Sequence, residues 1–259
     1  MRTLAFVVAG ALLAAGGVYA AEEAALPNEH WSFEGPFGTY DRGELQRGFQ
    51  VYQEVCSVCH AVEHLAYRDL TEIGYSEDEV KAMAAQAKVT DGPNDQGEMF
   101  ERPGRPSDPF VRPFPNEKAA RAANNGALPP DQSLLAKSLG NGLGILWGTE
   151  GPDYIYALLT GYKDPPAGEK LPDNQYYDVY FPTHHIAMPP PLSDDVVTFG
   201  DGTKATTAQE AHDVVTFLTW AAEPKLEARK SMGAMVIFFL LFMTVILYLA
   251  KRKIWANVH

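Results

Sequence analysis

Cysteine and basic residues are both scarce in this 259-residue chain. There are 21 Lys and Arg against 33 Asp and Glu, a formal net charge of −12. Four of those bases (Arg2, Lys251, Arg252 and Lys253) lie in terminal segments that contain no acid. Residues 21–230 are left with 17 bases against 33 acids, net −16. A nucleic-acid binder is excluded, because phosphate contacts need a basic face. Two cysteines exclude a multi-disulfide framework. No stretch alternates apolar and polar residues for more than about four positions, which excludes a sheet of long strands. No internal repeat or low-complexity segment interrupts the chain. A hydrophobic content of 46% excludes a disordered chain, while 22 Gly and 19 Pro predict many irregular connections.

The two ends are apolar in different ways. Leu4–Val18 is an unbroken apolar or small run after Arg2, and Val18-Tyr19-Ala20 places small residues at −3 and −1 of a cut. The pattern predicts a signal peptide over 1–20, cleaved after Ala20, in preference to an uncleaved N-terminal anchor. Met232–Ala250 is 19 uncharged residues followed at once by Lys251-Arg252-Lys253. At 1.5 Å per residue this run is about 28 Å long, close to the hydrocarbon thickness of a bilayer. A transmembrane anchor over 231–250 is therefore expected, with a cytoplasmic tail over 251–259 by the positive-inside rule. The body, 21–230, would lie in the periplasm of a bacterial cell membrane.

Within the body, Leu45, Phe49, Tyr52, Cys56 and Cys59 recur at helical spacing, predicting a helix from Asp41, its N-cap, to His60. A second helix is expected over Thr207–Ala222, opening with the capping box Thr207-x-x-Glu210. Its stripe is Ala211, Val214, Val215, Leu218 and Ala221, flanked by Phe217 and Trp220. Further helices are predicted across Gly151–Leu159 and Glu77–Lys88. Long loops rich in Pro and Gly separate them, notably 91–116, 163–174 and 180–192. The fold class is mainly α, with ordered loops long enough to surround a functional site.

Cys56-Ser57-Val58-Cys59-His60 fits C-x-x-C-H, the spacing for covalent c-type haem. Two thiols one turn apart add to the two vinyl groups, and the adjacent imidazole reaches the iron. A thiol–disulfide redox pair wants a lowered thiol pKa at a helix N-terminus, whereas this pair lies at the opposite end of its helix. A zinc site would need two further ligands, and there is no third cysteine.

Haems of this kind commonly take Met as the sixth ligand, and an open position would instead imply gas or substrate chemistry. Outside the two ends only Met83, Met99 and Met188 remain. Met83 falls on a helix stripe and reads as core. Met99, in a polar loop, fits either role. Met188 precedes Pro189-Pro190-Pro191, whose restricted backbone holds a thioether with little entropy left to lose. Met188 is the favoured ligand, with His184 and His185 as rivals. His30, His64 and His212 read as structural or solvated.

Several longer motifs stand in order along the chain. They include Arg47-Gly48-Phe49-Gln50-Val51-Tyr52, Ala66-Tyr67-Arg68-Asp69-Leu70, the segment Asn116–Asp131, Asp153-Tyr154-Ile155-Tyr156, Met188-Pro189-Pro190-Pro191-Leu192 and Trp220-Ala221-Ala222-Glu223-Pro224. From about Arg42 to the C-terminus the chain resembles the cytochrome c1 family, the haem subunits of quinol–cytochrome c reductase complexes. The resemblance implies a class I c-type haem domain and one haem c on Cys56 and Cys59, with His60 and Met188 as axial ligands. It puts Asn124, Pro129, Pro130 and Tyr154 around the haem. The partners it implies are a cytochrome b subunit, a Rieske iron–sulfur protein and a soluble or membrane-tethered c-type cytochrome. One departure stands out. Where the family usually has an arginine near a haem propionate, this chain has Lys137-Ser138-Leu139 and a Gly-rich insertion through Glu150, leaving Lys137 and Arg121 as candidates. The seven acids of 72–98 (Glu72, Glu77, Asp78, Glu79, Asp91, Asp95 and Glu98) are expected to form a docking face.

Overall fold

The computed structural model describes residues 24–140 and 149–257. The expected signal peptide, most of the Gly-rich insertion and the last two residues of the tail lie outside them. The architecture is mainly α. Helix α1 (Arg42–Glu54) begins as the sequence predicts, with the Asp41 carboxylate accepting from the amides of Gly43 at 2.7 Å and Glu44 at 3.1 Å. Next come α2 (Glu77–Gln86), α3 (Glu117–Ala123), α4 (Leu135–Ser138), α5 (Glu150–Thr160), α6 (Thr207–Ala222) and α7 (Leu226–Trp255). Two 3₁₀ helices (Cys56–Val58 and Tyr67–Ile73) and two short antiparallel pairs complete the described elements: β1 (Lys88–Asp91) with β2 (Phe100–Pro103), and β3 (Tyr176–Tyr177) with β4 (His185–Ile186).

The core is the crossing of α1 and α6. Leu45, Phe49, Val51 and Tyr52 from α1 meet Val214, Phe217 and Leu218 from α6, all buried. Phe217 stands 5.6 Å from Phe49 and 5.5 Å from Tyr52 between ring centroids. Such a close crossing needs Gly48, where a Cβ would fall 1.9 Å from the Asp213 carbonyl oxygen. The expected stripe of α6 is buried, and the burial is wider than the stripe. Phe217, Trp220, Glu210, Asp213 and Thr216 are also inside, because α1, α4 and α5 all pack on α6.

The capping box on α6 is a correction. The cap is Thr206, whose hydroxyl accepts from the Gln209 amide at 3.2 Å, while Thr207 donates to Asp194 at 2.8 Å. With the cap one residue earlier, Glu210 is too far along to reach back to it. It turns inward, fully buried, and accepts from the Val197 amide at 3.3 Å, its other oxygen without a hydrogen-bond partner. Burial is the largest cause that pushes the Glu210 carboxyl up to about 6, with Asp194 and Asp195 adding to it. The folded protein thus holds a proton that the unfolded chain has released. Stability should fall as pH rises from about 4.5 through about 6, the reverse of a salt-bridged carboxylate. Glu210→Gln should flatten that part of the melting-temperature profile of the detergent-solubilised chain. An unchanged slope in the variant would remove Glu210 as its source.

The ion pairs bind distant parts of the chain together. Arg47, on α1, grips buried Asp213 of α6 (Nε–Oδ2 2.7 Å, Nη2–Oδ1 3.1 Å) and reaches Asp201 at 2.8 Å. Helix α2 starts with the Ser76–Glu79 capping box, and its Val80 and Ala84 are buried as the stripe requires.

Helix α7 is 30 residues long, its most apolar window has a mean hydropathy of 2.6, and none of that window is buried. The expected anchor is thus part of a longer helix that starts inside the body, where Leu226 is buried, and ends past the basic cluster.

Candidate functional site

Helix α1 stops at Glu54, six residues short of the sequence expectation, and Cys56–Val58 form a tight 3₁₀ turn. The Ser57 hydroxyl donates to the Gln53 carbonyl at 2.7 Å, the acceptor its own amide would use in a continuing α-helix. The turn closes through His60 N to Cys56 O at 2.9 Å and Cys59 N to Cys56 O at 3.1 Å. Both cysteines are half-buried, and neither is in a disulfide. Burial pushes the Cys56 thiol up to about 12, with Cys59 adding to the effect. That is the wrong direction for a thiolate-driven redox pair. Among the described residues no three His, Cys, Asp or Glu side chains converge to hold a metal ion, so a zinc site has no support there.

His60 is oriented from both sides. Its Nδ1 lies 2.8 Å from the Pro130 carbonyl oxygen. A carbonyl only accepts, so Nδ1 carries the proton and Nε2 keeps its lone pair for a metal. Burial lowers the pKa of the ring, which favours this neutral form. The segment after His60 is stitched to the Pro-Pro loop by three further contacts. Gln132 N donates to Ala61 O at 2.8 Å, Glu63 N to Asp131 at 3.0 Å and His64 N to the Ser133 hydroxyl at 3.1 Å. The Tyr52 hydroxyl donates to the His60 carbonyl at 3.1 Å. Cys59, Pro129 and Pro130, with Ala120 and Leu128, line an open cavity. Sequence reasoning overlooked Asp131, Ser133 and Tyr52 as positioning groups. The polar triplet directly after Pro129-Pro130 was the available signal.

Met188 leaves the small β3–β4 hairpin two residues after β4. The Tyr162 hydroxyl donates to its carbonyl at 3.0 Å. The loop is folded around Asp178, fully buried, whose Oδ1 accepts from Tyr180 N and Phe181 N at 2.8 and 2.9 Å. Tyr162 and Asp178 are the other residues that sequence reasoning missed. The rivals for the sixth position are engaged elsewhere. His184 stacks on Tyr177 and its Nδ1 contacts the Asp178 carbonyl at 3.1 Å, while His185 Nε2 meets Glu169 at 2.7 Å. Met83 packs against the core, and Met99 is 61% exposed on its loop.

The remaining candidates are less converged. Asn124 ends α3 half-buried, its Nδ2 donating to Ala120 O at 2.7 Å. Arg121 is exposed and donates to Gly126 O at 3.0 Å, bracing the turn of Asn125 and Gly126 that leads to Pro129. Lys137 lies 3.9 Å from Glu223. Tyr154, on α5, is half-buried, and burial, with the charge of Asp178, raises its pKa.

Two thiols one turn apart and a neutral imidazole with a free Nε2 are what covalent attachment of a haem and ligation of its iron require of this segment. The model of the "Cytochrome C1 family" matches residues 31–258. The chain belongs to the cytochrome C1 family. The match starts at Trp31, earlier than the motifs alone suggest, and takes in the segment that Trp31 pins to α5 through Asp153 at 2.8 Å. The chain is 47% identical over 272 residues to cytochrome c1 of Rhodospirillum rubrum, covering 98% of this chain and 97% of that one. Against the mitochondrial cytochrome c1 1, heme protein, of Arabidopsis thaliana it is 48% identical, over 93% of this chain and 77% of the other. It is 51% identical to the cytochrome b/c1 of Bradyrhizobium diazoefficiens over 90% of its length, but spans only 36% of that longer protein. Like its family, the chain carries one covalent haem c, with Cys56 and Cys59 as the thiols of the attachment motif. It is anchored in a membrane by α7.

Proposed function

We propose that this chain is the haem subunit of a quinol–cytochrome c reductase complex. It takes single electrons from a Rieske iron–sulfur protein, beside a cytochrome b subunit, and passes them to a soluble or membrane-tethered c-type cytochrome. The observation that carries this reading is the His60–Pro130 contact inside a C-x-x-C-H turn, in a chain of this family. His60 and Met188 are the axial ligands in this proposal, with Asn124, Pro129, Pro130 and Tyr154 against the haem and Arg121 toward its propionates. The haem supplies the one-electron chemistry. This chain supplies ligation, burial and a charged surface, and it makes or breaks no substrate bond. We place residues 21–230 in the periplasm, the anchor at 231–250 and the tail, 251–259, in the cytoplasm. The basic cluster after the apolar run supports that orientation.

The acidic face is smaller than composition implies. Glu72 is paired with Lys225, Asp91 with Arg102, and Glu79 caps α2 through Ser76. Glu77 and Asp78 are exposed on the first turn of α2. Electrostatic attraction to a lysine-ringed cytochrome would act mainly on the association rate. Stopped-flow oxidation of the reduced chain by such a cytochrome tests the function and the face together. The second-order rate should fall steeply with salt, since screening acts over roughly 8 Å at physiological ionic strength. Glu77→Gln with Asp78→Asn should lower the low-salt rate by up to about tenfold and flatten that dependence. No electron transfer at any salt would sink the functional reading. A salt-independent rate would sink only the docking face.

A further inference from the structure

We propose that the loop Ser32–Thr39 is a second membrane contact, which seats Phe37 at the boundary between lipid headgroups and acyl chains beside the anchor helix. Phe37 is 88% exposed, although the loop that carries it is built and held. Its base is closed by Thr39 N to Ser32 O at 3.1 Å and Glu34 N to Trp31 O at 3.0 Å. Trp31, Phe33 and Tyr40 on either side are buried, with Phe33 5.6 Å from Trp31 and 5.3 Å from Tyr40 between ring centroids. At Gly38 a Cβ would fall 2.0 Å from the Glu34 carbonyl oxygen, so the tip is drawn tight.

The loop runs down the anchor helix toward the membrane. Tyr40 N donates to Glu227 at 2.9 Å, while the carbonyls of Gly38 and Phe33 both accept from Lys230 Nζ, at 3.0 and 2.6 Å. Backing from residue 40 to residue 38 in the loop thus advances from residue 227 to residue 230 in the helix. Phe37 is the next residue along. The uncharged run begins at Met232, about 3 Å further by helical rise. Spanning helices commonly carry Trp and Tyr at both interfaces. At its far end α7 has Tyr248 and Trp255 around the basic cluster, but between Lys230 and Phe238 it has no aromatic residue. Phe37 supplies an apolar ring at that level from outside the helix, of the kind that inserts at the headgroup–acyl boundary. Continuity with the lipid-facing helix favours lipid as the occupant over another polypeptide. With two contacts, the tilt of the haem domain over the bilayer is restrained at the helix and at the loop.

The test is photo-crosslinking in native membranes, using the full haem-loaded chain with benzoylphenylalanine in place of Phe37 and, separately, in place of exposed Met99. An intact haem spectrum selects folded protein. Mass spectrometry should find phospholipid adducts at position 37 at least tenfold above those at position 99. Adducts with another polypeptide would overturn the proposal in favour of a protein interface. Equal, near-background yields at the two positions would overturn it in favour of a loop in water.

Discussion

Met188→Leu should leave the haem attached, lower its reduction potential by a few tenths of a volt and open the iron to carbon monoxide. Axial ligands tune haem potentials over about 0.8 V, and a thioether favours the ferrous state. A fall of about 0.2 V is on the order of a thousandfold in the one-electron equilibrium constant, at 59 mV per tenfold. Leucine keeps the volume but cannot ligate, so packing next to Pro189 changes little. The neighbouring histidines are poor substitutes. His184 is tied to Tyr177 and Asp178, and His185 to Glu169, so recruiting either requires the hairpin to give up those contacts. The expected spectrum is therefore that of an open site. Redox titration and carbon monoxide difference spectra decide it. If Met99→Leu gives this phenotype and Met188→Leu does not, the ligand assignment is wrong.

Arg47→Met should cost about 3–5 kcal/mol of stability, because it leaves a buried carboxylate without its counter-charge and with only the neutral Gln209 amide, 3.1 Å from both oxygens, as partner. Asp213 is fully buried and takes two hydrogen bonds from the Arg47 guanidinium. The same guanidinium also holds Asp201 and lies 5.8 Å from the centre of the Phe199 ring. One side chain therefore joins α1, α6 and the loop before α6. At 2–4 °C per kcal/mol for a body of this size, the melting temperature should drop by roughly 6–20 °C. The double variant Arg47→Met, Asp213→Leu should recover much of the loss, since two apolar groups remove the stranded charge. Thermal scans of the two variants side by side measure this. A loss under 1 kcal/mol in the single variant would mean that water reaches Asp213 when Arg47 is gone.

The attachment motif, the anchor and the four longer helices of the body (α1, α2, α5 and α6) were legible in the sequence because each is local, whereas the short α3 and α4 were not predicted. Cys56, Cys59 and His60 are neighbours in the chain, and the apolar run of α7 is continuous. Helical periodicity identified Val80, Ala84, Val214 and Leu218 as core without any tertiary information. Boundaries were less legible, because competing hydrogen bonds of similar strength decide them. Ser57 ended α1 early, and Thr206 displaced Thr207 as the cap of α6.

What only the tertiary structure decided are contacts between residues far apart in the chain. Pro130 orients His60 across 70 residues, Asp213 meets Arg47 across 166, and Asp153 pins Trp31 across 122. No local pattern marks such partners, since one carbonyl or carboxylate reads like another until the chain brings it near. The acidic face shows the same limit. Composition counted seven acids in 72–98, but packing had already assigned Glu72, Glu79 and Asp91 to structural partners. Charge is a property of the sequence. Which charges remain to act on a partner depends on where folding places the opposite ones.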